Sequence, residues 1–233
     1  MGLVVRGALD DTAGQHTQTR REKGRFGGHP HKGGPAQTGV TEQDYANAAA
    51  QLGPGIDPLF IRACAEVESG GKSGFGPAGL PIIAYEGHQF HKFTHHKYDE
   101  THPLLSYRYK TNAGSQWRKN NRNQTVAWKT LNDAMELDAD AALKATSWGM
   151  CQVMGFNYPS CGYKDVFAFV EAMKAGSLGQ LQAFVGYCKH RPGMISALRR
   201  KNFTAMALAY NGKDYGDYDK KFERAYGRLG GKV

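Results

Sequence analysis

The stretch DPLFIRACAEVESGG, residues 57–71, decides the fold class. Asp57 is a natural helix cap, and Pro58 suits the first helical position, where a backbone N–H would be unpaired anyway. Leu59, Ala63 and Val67 then fall on one stripe, which predicts an amphipathic helix with one face in a core. Gly70 and Gly71 stop it. The helix thus delivers Glu68 to its C-terminal end, where unpaired carbonyls make the local potential negative and oppose ionisation. Partial burial would push the same way. A carboxyl group still protonated near neutral pH can give its proton to a leaving-group oxygen. Many helices carry a glutamate in their last turn, so Glu68 alone does not define an enzyme.

The same periodicity extends on both sides. Thr41 caps EQDYANAAAQL, residues 42–52. Further helices are expected over 125–137, 138–146, 164–174, 177–189, 194–200, 202–210 and 217–228. Residues 72–122 are irregular and rich in Gly, His, Tyr and Asn, with one apolar patch at Leu80–Tyr85. Any small sheet belongs there. The expected fold is therefore mainly α, a helical bundle with an irregular insertion or small β region after the Glu68 helix. Residues 1–40 hold nine glycines and one aromatic residue, so they read as a flexible basic tail ahead of a domain spanning 41–233.

The 233 residues carry 30 Lys and Arg against 21 Asp and Glu, a formal charge of +9. The tail's six basic and three acidic residues account for +3 of it, leaving +6 on the domain. Charge of this sign favours an anionic partner without naming one. Thr101–Asn132 and Ala172–Lys213 contain no acidic residue, and the former includes Trp117-Arg118-Lys119. No recognition helix, finger or RNP-like string accompanies them, so no nucleic-acid partner is expected. No apolar run approaches membrane-span length, and the start of the chain shows no secretory signal. The four cysteines, Cys64, Cys151, Cys161 and Cys188, form no CxxC pair and are expected as reduced thiols.

Three later segments give Glu68 its context: Ser147-Trp148-Gly149-Met150-Cys151-Gln152, Ala209-Tyr210-Asn211-Gly212, and Ile83-Ala84-Tyr85-Glu86-Gly87-His88. Amides can grip sugar hydroxyls and aromatic faces can cover pyranose rings, yet each residue also fits a helix cap or a core. In chain order, E-S-G at a helix end, G-M-x-Q after a later helix and A-Y-N-G near the C-terminus resemble the goose-type lysozyme and lytic transglycosylase superfamily. VESGGKSGFG, PIIAYEGHQFHKFT, YDETHPLLS, ATSWGMCQVMGFNY and ALAYNGKDYGDYD resemble one branch more closely, the N-acetylmuramidase domain of bacteriophage endolysins. The resemblance covers about residues 45–228; residues 1–40 do not resemble the wall-binding module that often precedes this domain.

This resemblance implies a lysozyme-like fold and cleavage of the β-1,4 bond between N-acetylmuramic acid and N-acetylglucosamine. It makes Glu68 the catalytic acid, with Ser147, Trp148, Gly149, Gln152, Tyr210 and Asn211 binding or shaping the glycan cleft. Glu86 is the candidate second carboxylate and Asp99 its competitor, while Glu66 should face another side of the helix. Without a base to position water, the muramic acid hydroxyl would attack instead, giving the anhydro product of a lytic transglycosylase. His88, His91, His95, His96 and His102 fall within fifteen residues and raise a zinc peptidase or amidase. No HExxH is present, and a histidine stripe on a short helix explains them as well, so no metal and no cofactor are expected. The expected partners are peptidoglycan strands and, through basic patches, the anionic bacterial envelope. A monomer is expected, held in the host cytoplasm before holin-dependent release or carried in the virion.

Overall fold

The computed structural model describes residue 28 and residues 36–69, 73–76, 78–110, 114–213 and 215–232. Most of the expected N-terminal tail lies outside the described residues. Residues 36–40, assigned to that tail by composition, are held to the domain. Gln37 exchanges backbone hydrogen bonds with Ala175 and Ser177, and the Gly39 N–H donates to Ser177 Oγ at 3.1 Å.

Eleven helices and a small sheet make up the described residues. The first helix, α1 (Glu42–Leu52), opens with a capping box: the Asp44 N–H donates to Thr41 Oγ1, and the Thr41 N–H donates to the Asp44 carboxylate. Next comes α2 (Pro58–Ser69), whose cap Asp57 accepts from the Leu59 N–H at 3.0 Å. This helix lies between α1 and α11 (Tyr218–Arg228), burying Phe60, Ile61, Ala63, Cys64 and Ala65. Packing on two sides fixes the azimuth of α2, and with it the direction of Glu68.

The region expected to be irregular is more ordered than its composition suggested. It contains β1 (Ile83–Tyr85), α3 (Gly87–Phe93) and α4 (Ser115–Asn120). A small sheet and a short helix are expected in this region, but pieces this short show no period to bound them, and two of the three strands lie beyond it, at residues 146–154. The three pieces lead into α5 (Gln124–Leu137) and α6 (Ala139–Lys144). The helix expected to run to Thr146 stops at Lys144, because Thr146 opens β2 (Thr146–Trp148). With β3 (Val153–Met154), the strands form an antiparallel sheet in chain order, pairing Ala84 with Ser147 and Ser147 with Met154. The remaining helices are α7 (Val166–Ala175), α8 (Ser177–Lys189), α9 (Met194–Arg199) and α10 (Phe203–Asn211).

Two amide side chains close the free edge of β1. Gln124 accepts from the Ile83 N–H at 2.8 Å and donates to its carbonyl at 2.9 Å; Asn121 does the same for Tyr85 at 2.7 and 2.9 Å. They replace a fourth strand at a sheet edge that would otherwise need pairing. The β2–β3 turn depends on another buried amide, Gln180, which accepts from the Met150 N–H at 2.7 Å. Gly149 stands against it at φ +71°, and a Cβ there would lie 2.5 Å from the Gln180 side chain. Gly149→Ala therefore costs about 1–3 kcal/mol from the left-handed backbone, besides displacing Gln180. Calorimetry should show a clear fall in Tm, larger than for Gly212→Ala, whose Cβ meets no atom at a similar φ.

All four cysteines are free thiols, three of them buried. No helix among the described residues is long and apolar enough to cross a membrane.

Candidate active site

A cleft of about 410 Å³ opens where the end of α2 meets the sheet. Five of the expected residues share its walls: Glu68, Glu86, Ser147, Gln152 and Tyr210. They come from α2, the β1–α3 junction, β2, the β2–β3 turn and α10, so the short sheet brings together parts distant in the chain.

Glu68 is enclosed, and its Oε1 has no hydrogen-bond partner. Burial pushes its carboxyl pKa up to about 8, with Lys221 only partly opposing. The carboxyl is therefore mainly protonated at neutral pH, and Glu68 lines the cleft. Tyr218 stands near it; the Glu68 charge, followed by burial, pushes that phenol up to about 12. Tyr210 is held behind them, donating its hydroxyl to the Cys151 carbonyl and packing edge-on to Tyr187 at 5.4 Å.

Glu86 has the opposite setting. It precedes α3 and accepts from Trp117 Nε1 at 2.8 Å, with His88 Nδ1 3.3 Å from its other oxygen. Gln89 Nε2 lies 3.0 Å from His88 Nε2. An amide N–H₂ can only donate, so the imidazole proton is assigned to Nδ1, facing Glu86. Trp117, His88 and Gln89 all line the cleft. Sequence reasoning placed Trp117 in a basic stretch and His88 in a histidine run, and missed both as supports for a carboxylate. No local pattern marked Trp117, since α4 reaches Glu86 across 31 residues of chain.

The remaining expectations divide. Gln152 borders the cleft at φ +46°, but its amide is engaged in the turn: it donates to the Gly149 carbonyl at 2.8 Å and accepts from Ser147 Oγ at 2.8 Å. Trp148, expected to bind substrate, is 1 % exposed and packs at 75° against Trp128. Alternation along β2 sends Ser147 to the cleft and Trp148 to the core. Gly149 shapes the turn rather than the cleft wall. Asn211 ends α10, and its side chain lies outside the described residues. Asp99 is bound to His91 and Ser106 away from the cleft, which removes it as a competitor of Glu86. Glu66 faces elsewhere, paired with Arg228 at 3.2 Å. That pair and Arg62–Glu42 line a separate cavity of about 460 Å³, whose charges already satisfy one another. The histidine stripe also breaks, because α3 ends at Phe93 and His95 and His96 leave it with φ of 49° and 68°.

A mainly α domain with a small sheet and two carboxyl groups lining one cleft belongs to the lysozyme-like class. The N-acetylmuramidase family model matches residues 57–230, and the chain belongs to that family. It is a phage-endolysin muramidase domain, a peptidoglycan hydrolase. Its fold is similar to the crystal structure of the Burkholderia AP3 phage endolysin, with a TM-score of 0.71 and 35 % sequence identity. That match covers 85 % of this chain and 74 % of the other. No curated protein sequence is a significant match.

Proposed function

We propose that the protein hydrolyses the β-1,4 bond between N-acetylmuramic acid and N-acetylglucosamine, with Glu68 as general acid and Glu86 as the second carboxylate. The observation that carries this reading is the contrast between two carboxyl groups lining one cleft: one is enclosed and protonated, the other accepts from Trp117 Nε1 with His88 Nδ1 at 3.3 Å. Such divergent settings divide acid and base roles between two carboxyl groups.

Glu68 gives its proton to the glycosidic oxygen as the C–O bond breaks, leaving oxocarbenium character on the muramic acid ring. Water adds to that carbon and passes a proton to Glu86, and the new end is a reducing sugar. Trp117 and His88 fix the Glu86 carboxylate, while Ser147 and Gln152 stiffen the turn on which the glycan rests. Tyr210 and Tyr218 supply aromatic surface beside Glu68. The exposed basic residues near Trp117 in the chain, including Arg108, Lys119 and Arg122, suit the anionic groups of the envelope. We take the protein to act as a monomer without nucleic acid or cofactor, released from the host cytoplasm to the wall through a holin or carried in the virion.

The competing chemistry is that of a lytic transglycosylase, in which the muramic acid hydroxyl replaces water. Mass spectrometry of digested peptidoglycan separates the two. Reducing muramic ends are expected, and Glu86→Gln should slow their formation roughly a hundredfold or more. Anhydro ends from the unaltered protein, or full activity in Glu86→Gln, would overturn the assignment.

A further inference from the structure

Apart from the residues lining the cleft, His91, His96 and Asp99 place one potential ligand atom each within 4.8 Å of one another. We propose that this cluster is a site for a first-row divalent cation of the zinc class, independent of the glycan cleft. Two imidazoles and one carboxylate form a donor set suited to such an ion, with a position left for water.

The cluster is built by the way α3 ends. His91 sits in its last turn, 9 % exposed. The His96 N–H then donates to the His91 carbonyl at 2.9 Å, and His95 and His96 both take left-handed backbone angles. That conformation is uncommon outside glycine, although histidine adopts it more readily than most residues. Here it reverses the chain and lays the His96 ring on the His91 ring, 4.0 Å apart and 14° from parallel. Asp99 comes next, with His91 Nδ1 at 2.8 and 2.9 Å from its two oxygens and Ser106 Oγ donating at 2.5 Å. The Ser106 hydroxyl thus orients this carboxylate from behind, as an outer partner does for a ligand.

Tetrahedral zinc ligands lie about 3.3 Å apart, given metal–ligand bonds of about 2.0–2.1 Å. His91 is fixed by its helix and Asp99 by Ser106. His96 is exposed, so rotation of its side chain is what closes the set. The ion would clamp the end of α3 to the following turn. The same helix carries His88 and Gln89 into the cleft at its other end, so the clamp would brace the support of Glu86 without touching the glycan.

The test is calorimetric titration of tag-free, EDTA-stripped protein with zinc chloride, beside magnesium chloride and beside His96→Ala. His96→Ala removes an exposed side chain and spares the core. His16, His29 and His31 in the N-terminal segment add possible zinc ligands, so the difference between the two proteins is the readout. The expected result is a zinc site in the unaltered protein that weakens by about tenfold or more in His96→Ala, no response to magnesium, and a zinc-dependent rise in Tm confined to the unaltered protein. A His102→Ala control, at a nearby histidine outside the cluster, should bind zinc normally. Equal zinc binding by unaltered and His96→Ala proteins, or no zinc binding by the unaltered protein, would overturn the proposal.

Discussion

Glu68→Gln lowers glycan cleavage by about a hundredfold to ten-thousandfold, the usual contribution of a positioned general acid, and leaves the fold intact. Glutamine keeps the shape of the side chain but has no proton to give to the leaving oxygen. The loss should fall on the catalytic rate more than on wall binding, because the tyrosines and Ser147 still line the cleft. Release of soluble glycan from purified walls measures the first, and sedimentation with intact walls measures the second. Glu66→Gln is the matched control: Glu66 lies two residues away on the same helix but is paired with Arg228 outside the cleft. If Glu66→Gln were as damaging as Glu68→Gln, the acid would have been misassigned.

The part of this site that was legible in the sequence is the part made locally. A helix announces itself through caps and spacing within about fifteen residues, so Asp57-Pro58 and the glycines after Ser69 are enough to place Glu68 at a helix end. The long helices follow for the same reason. Strands of two or three residues carry too few positions for alternation to show. Their pairing is also settled at long range, as when Gln124 and Asn121 close the edge of β1. Trp148 illustrates the limit. A tryptophan in a cleft-forming segment can face sugar or core, and only pairing with Ile83 and contact with Trp128 send it inward. Trp117 is the converse case, an exposed-looking aromatic in a basic stretch that proves to hold a carboxylate.

The enclosure that raises the Glu68 pKa also costs stability, and the cost depends on pH in a defined direction. Its pKa is about 8 in the folded protein against a reference of 4.5. Between those values the unfolded chain has released the proton and the folded one retains it, so unfolding releases a proton. Stability therefore falls as pH rises, at about 1.4 kcal/mol per unit from this group, and the fall ends above about pH 8 where both states are ionised. Relative to a group with no shift, Glu68 is on the order of 3 kcal/mol unfavourable by pH 7. Glu68→Gln removes the titration, so its stability relative to the unaltered protein should rise steadily from pH 5 to pH 8 and then level off. Urea unfolding at several pH values gives this difference directly, free of background titrations common to both proteins. The same substitution would then lose activity and gain relative stability through one carboxyl. A pH-independent difference between the two proteins would show that Glu68 titrates normally, and would remove the protonated acid from the mechanism.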